Sequence, residues 1–367
     1  MSRITIFSCL LVLICSPFPV LGQTPLVERD PPVDVSVRTV VTFGDADGPG
    51  FIGEPKDVDR RDSGEWVVVD QLNPTEIKFF SSDGEWIRTI GRKGSGPGEY
   101  QIASFVRVLP EDSLGVHDFL QNRFTVYSPE LEVCRTITTE IRAKRFELLG
   151  DGRIVFASNV STRESIGLPL HLINASGKLE RSFGADLPIR NVSASFSHFR
   201  SISPTGRSTV WSAPLTRYVL EEWTLDGDRM RYLERNVPWF EPYDRYSVFN
   251  QDHPPTPGII DIHEDERGLL WVAILLPDPE WEEAFEEGTD LYGRPAMRVH
   301  DHNKHRDTRI EVIDPERGLV LGSVTIDERV KSFTRTGELL THGFREGLFP
   351  VVIVLEARLS DTKGDGK

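Results

Sequence analysis

Cysteine is scarce in this chain. Three occur in 367 residues, and two of them, Cys9 and Cys15, fall within the first 22. The remainder keeps only Cys134, so it cannot form an internal disulfide, and a large apolar core must hold the fold. Long apolar runs are also missing. The one candidate, residues 4–14, is interrupted by Thr5, Ser8 and Cys9 and is too short to cross a bilayer. Arg3 gives it a positive start, and Val20-Leu21-Gly22 offers modest side chains for cleavage before Gln23. Residues 1–22 therefore read as a secretory signal, and the mature chain is expected to be exported, periplasmic or extracellular. Ile14 directly before Cys15 fits lipoprotein processing poorly, so lipid anchoring is not expected. Positive charge is in deficit, with 57 Asp and Glu against 42 Lys and Arg. This argues against nucleic acid or an anionic membrane as the main partner. No GxSxG, HExxH or CxxC signature occurs.

What the chain does have is a repeat. Thr42-Phe43-Gly44, Gly48-Pro49-Gly50, Trp66-Val67-Val68-Val69-Asp70 and Ile77-Lys78-Phe79-Phe80 recur as Thr89-Ile90-Gly91, Gly96-Pro97-Gly98, Leu114-Gly115-Val116-His117-Asp118 and Phe124-Thr125-Val126-Tyr127. The offset between Gly48 and Gly96, and between Asp70 and Asp118, is 48 residues. Short apolar runs at that period with Gly/Pro turns between them predict an all-β, six-bladed β-propeller of four-stranded blades. Residues 23–34 read as a polar, proline-rich linker and residues 35–360 as the propeller. Two loop inserts fall at about 237–258 and 277–308, and residues 361–367 read as a polar tail. The last blade has three clear strands of its own. The run at 35–43 ends as an outer strand ends, so it is expected to complete that blade and close the ring.

The first two units resemble NHL-type repeats, through Pro55, Val58, Gly64, Val69-Asp70, Asn73, Ile77, Phe80 and Asp83-Gly84, then Asp118, Asn122-Arg123-Phe124 and Tyr127. The match covers about 44–137 and fades beyond. The whole looks like the uncharacterised exported six-bladed propellers of bacteria. That resemblance implies a scaffold and carries no catalytic motif.

Several residues are candidates for chemistry. Innermost strands line a propeller's channel, which directs attention to Asp57, Arg107, Arg145, Arg200, His263 and Lys331 near the starts of successive blades. Arginine and lysine there would suit an anion or carboxylate. The inserts carry Trp239, Tyr243, Trp281 and Tyr292, which could offer stacking surfaces for a glycan, a small molecule or a protein at one mouth. Their alternative role is to pack the loops down. His300, His302 and His305 are metal-ligand types within six residues, so a divalent metal is possible although no cofactor is expected. Asp70 and Asp118 at strand ends are expected to bind backbone N–H groups. These features favour a ligand- or protein-binding scaffold, expected to be a monomer, rather than an enzyme. The alternative is a metal-dependent, lactonase-like hydrolase drawing ligands from Glu54, Asp57 or Asp261.

Overall fold

The computed structural model describes residues 23–140, 145–149, 151–158, 168–184, 199–205, 207–243, 252–289, 293–345 and 349–360. Six antiparallel sheets follow one another along the chain. Their innermost strands are Pro55–Arg60, Ala103–Val108, Arg145–Leu148, Arg200–Pro204, Gly258–Glu264 and Val330–Phe333. Each sheet runs outward in simple sequence order. The sixth is completed by Val35–Phe43, which pairs antiparallel with Phe349–Leu359, so the N-terminal strand closes the ring as the sequence predicts.

The apolar alternation of each strand is satisfied between blades rather than in one central core. Six clusters of buried side chains occur, one for each pair of neighbouring blades. At the closure, Phe43 is fully buried and stacks on Phe80 with ring centroids 4.7 Å apart and on Trp66 at 6.1 Å. Glycine is required where turns meet a neighbouring blade. Gly84 has φ +91°, and a Cβ there would lie 2.8 Å from the Thr42 carbonyl oxygen.

Two expectations are corrected. Residues 23–34 do not hang as a free linker. Thr24–Pro25 pairs parallel with the outer strand Arg229–Glu234 of blade four, and Val27–Glu28 pairs with Leu319–Ile326 of blade five. Leu26 between them is buried, because its apolar side chain fills the seam where the two outer strands meet. The insert at 277–308 is not an irregular loop either. It contains a hairpin, Phe285–Thr289 with Pro295–Val299, and a one-turn helix, His302–His305, capped by the Asp301 carboxylate.

In an up-and-down sheet, connections between strands two and three, and from each outer strand to the next inner strand, lie on one face. Both inserts are connections of this kind, so they rise from the face where the inner strands begin.

Candidate functional site

The innermost strands begin irregularly. In blades one, two, five and six the register with the second strand skips one residue: Lys56, Ser104, Ile260 and Lys331 respectively. A bulge re-aims a side chain and often sits at a rim or a site. Blades three and four lack the bulge and instead begin with Arg145 and Arg200. Lys56, Ser104, Ile260, Arg145 and Arg200 all line one cavity of about 620 Å³ at this mouth of the channel. Its walls are otherwise largely apolar, with Phe105, Phe119, Phe199, Ile102, Ile259, Leu215 and Leu275. Arg329 adds a further cation, and no carboxylate lines it among the described residues.

Buried ion pairs close the floor. Arg145 crosses the axis from blade three: its Nη1 lies 2.8 Å from Asp261 of blade five, and Nη2 donates to the carbonyls of Ile260 (3.2 Å) and Lys331 (3.4 Å). Arg107 joins Asp57 at 2.7 Å and Glu147 at 3.4 Å, linking blades one, two and three. Asp57 also accepts the Val106 N–H at 3.0 Å, and Asp261 the Phe333 N–H at 2.8 Å. Asp59 accepts from the N–H groups of Val108 and Arg335. Burial pushes the Asp57 and Asp59 carboxyls up, against the pull of Arg107, and lifts Glu147 to about 7. Beneath this layer lies a smaller polar cavity of about 110 Å³, bordered by Arg107, Glu147, Asp261 and His263.

The channel candidates thus separate. Arg145 and Arg200 reach the mouth cavity. Asp57 and Arg107 are ion-paired within the layer below it. His263 faces the opposite cavity and packs near Phe333 (centroids 5.8 Å). Lys331 lies just behind the mouth wall, donating to the Pro55 carbonyl at 2.9 Å. Burial, with Arg329 next in effect, pulls its amine down to about 8.

The described loop aromatics, Trp239, Tyr243 and Trp281, are not among the residues lining the cavity. Trp239 packs among Tyr218, Phe240 and the guanidinium of Arg309, 5.2 Å from its ring centroid. Trp281 meets Phe285 edge-on at 6.2 Å. Tyr243 ties its insert down by donating to the Pro257 carbonyl at 2.6 Å. Tyr292 lies outside the described residues. These rings hold the inserts in place, whereas the cavity rings Phe105, Phe119 and Phe199 have no distinctive signature in the sequence.

The histidine candidates also part company. His305 is buried edge-on against Phe285 at 5.4 Å, and burial holds its imidazole down to about 4. His300 and His302 are exposed. Among the described residues, the trio that brings three ligand-type atoms within 4.8 Å of one another is Asp278, Asp307 and Asp327, not the histidines. The short helix turns the imidazoles to different sides. Of the carboxylates named for a channel hydrolase, Asp57 and Asp261 are each held by an arginine, and Glu54 is half-buried with its backbone N–H donating to Asp70. Asp70 and Asp118 bind backbone as expected: Asp70 accepts from Gly53, Glu54 and Leu72, and Asp118 from Gln101, Leu120 and Gln121. No helix among the described residues is long and apolar enough to cross a membrane.

No curated protein matches the chain. In shape it is similar to a member of the DUF4221 family from Bacteroides vulgatus, with 10% identity, 90% of this chain and 99% of that chain covered, and a TM-score of 0.59. It is also similar to a "Putative exported protein" from Bacteroides fragilis, with 10% identity, 93% and 100% covered, and a TM-score of 0.54. Residues 51–219 match the family model DUF5128, described as a 6-bladed beta-propeller, and the described residues between 35 and 360 form a six-bladed β-propeller.

Proposed function

We propose that this propeller is an exported binding protein that holds a small organic molecule in the mouth cavity. The observation that carries this reading is the cavity itself: about 620 Å³, apolar-walled, and floored by buried ion pairs. Ligand sites typically combine such a volume with a few convergent polar groups. Binding is favoured over catalysis because Asp57 and Asp261 beneath the cavity are each held by an arginine, and in the Ser104–His117 contact at its wall (3.1 Å) burial holds the imidazole down to about 4, which makes it a poor base. The signal-like residues 1–22 and the shape shared with a protein named as exported support the location.

The neutral fluorescent probe N-phenyl-1-naphthylamine tests the reading. Saturable binding with enhanced emission is expected. Gln71→Trp, which places an indole at an exposed position of the cavity wall, should weaken it at least tenfold while leaving the unfolding midpoint within a few degrees. Binding that ignores this substitution would place the probe elsewhere and refute the reading.

A further inference from the structure

The first two blades share one plan, and blade one departs from it on its outer flank. In each, a Gly-Pro-Gly turn leads into the blade and rests on the first residue of the outer strand. A Cβ on Gly98 would meet Val133 at 3.3 Å, and one on Gly50 would meet Trp86 at 3.1 Å. Both residues also lie opposite the last residue of the third strand, Tyr127 and Phe80, at the same register shift. In blade two, long side chains tie the turn down. Gln121 donates to the carbonyls of Gly94 (3.2 Å) and Glu99 (3.3 Å), and Arg123 to those of Ser95 (2.6 Å) and Glu99.

In blade one the matching positions hold Asn73 and Glu76. The Asn73 amide turns back to Asp70 at 3.3 Å. Glu76 stays 3.8 Å from Lys78, whose amine donates to the Phe51 carbonyl beside the turn. What remains is an open groove of about 570 Å³, bordered by Gly48, Pro49, Asn73, Glu76, Trp86 and Thr89. Residues 23–140, which contain all of it, are described without a break. Trp86 is 36% exposed, the most exposed of the seven tryptophans. Its N–H donates to the Thr89 hydroxyl at 3.3 Å, which fixes the plane of the ring. The two cations in the lining have partners: Lys78 as above, and Arg88 on both carboxylate oxygens of Glu65 at 2.6 and 2.8 Å. An anionic ligand therefore finds no open cation in this groove.

We propose that the groove binds a neutral saccharide. One pyranose ring lays its C–H face on the Trp86 indole, and Asn73, Glu76 and Thr89 meet its hydroxyls. A sugar hydroxyl both donates and accepts, and an amide, a carboxylate and a hydroxyl together answer both roles. An apolar platform edged by a few polar groups is how a small-molecule site fixes orientation. The comparison with blade two carries the argument: the fold needs only Val133 at this position, and blade one replaces it with a large exposed ring while withdrawing the side chains that would fill the space.

Saturation-transfer NMR with triacetylchitotriose, cellotriose and maltotriose tests the proposal. At least one should bind saturably, in the millimolar range or tighter. Trp86→Val, which installs blade two's own residue, should weaken that binding at least tenfold. Glu76→Arg, which copies Arg123, should do the same by filling the groove with the indole in place, and it carries the test if Trp86→Val does not fold. Trp86→Phe keeps a stacking face and should retain most of the affinity. Binding by none of the three sugars, or binding indifferent to both Trp86→Val and Glu76→Arg, would overturn the proposal. So would binding of tetramethylammonium in place of the sugars, lost in Trp86→Val, which would make the groove a cation site. N-phenyl-1-naphthylamine should not compete with the sugar, so failure here leaves the mouth-cavity reading standing.

Discussion

Asp70 is one percent exposed and accepts four hydrogen bonds, three of them from backbone N–H groups. Replacing it with alanine strands those donors in the interior, and we expect a loss of about 3 kcal/mol in urea unfolding. Asp118, its equivalent one repeat later, should behave alike. Asp307 makes the opposite case. Removed from water and set against Asp278, its carboxyl is pushed up to about 7, above the roughly 3.9 of an unfolded chain. The folded protein then holds a proton that the unfolded chain has released. This group's contribution is therefore present in acid and lost as pH rises through 7. Asp307→Asn should raise the unfolding midpoint at pH 8 and hardly alter it at about pH 4, near the unfolded value; an equal gain at both would disprove the assignment. Residues of this kind differ in legibility. Asp70 and Asp118 declare themselves by recurring at the repeat period. Nothing in the sequence pairs Asp278 with Asp307, which meet because strands Leu270–Pro277 and Arg306–Asp314 pair with Leu276 opposite Asp307.

At the scale of elements, strand identity and order follow from the alternation of Val, Ile and Phe with turn glycines, and all six blades fall where that pattern puts them. The bulges at Lys56, Ser104, Ile260 and Lys331 leave no mark in the pattern, because one extra residue at the start of a strand preserves the alternation after it. Arg145 and Arg200 were legible as mouth residues since cations at strand starts are conspicuous. Phe105, Phe119 and Phe199 were not, since an apolar ring at the end of a strand looks like core. The insert aromatics misled in the opposite direction: Trp239 and Trp281 spend their faces on packing. Zn²⁺ is accordingly expected to shift the unfolding midpoint of His302→Ala and of the unmodified protein equally. A zinc-dependent gain lost in the variant would restore the histidine site. The staple at 24–28 has its own consequence. Leu26→Ala should cost about 2 kcal/mol or more and lower protection of the outer strands of blades four and five in hydrogen exchange before any other blade responds.

The whole molecule is a ring whose six cores are shared between neighbours, so no blade owns a complete interior. Phe43→Ala removes a fully buried ring from the seam of blades six and one, at an expected cost of about 3–5 kcal/mol. If the ring is cooperative, the same shift should be read both by Trp66 beside the substitution and by a tryptophan in blade four, such as Trp211. Separate transitions would mean that blades unfold independently. The closure also governs the order of events when the chain is made. Val35–Phe43 leaves the ribosome about 300 residues ahead of its partner Phe349–Leu359. At roughly 5–20 residues per second, that strand waits some 15–60 s with an unpaired edge. Completion of the ring is therefore deferred to the last stretch of synthesis, and a chain cut short at any earlier point carries an open seam by which quality-control proteases can recognise it.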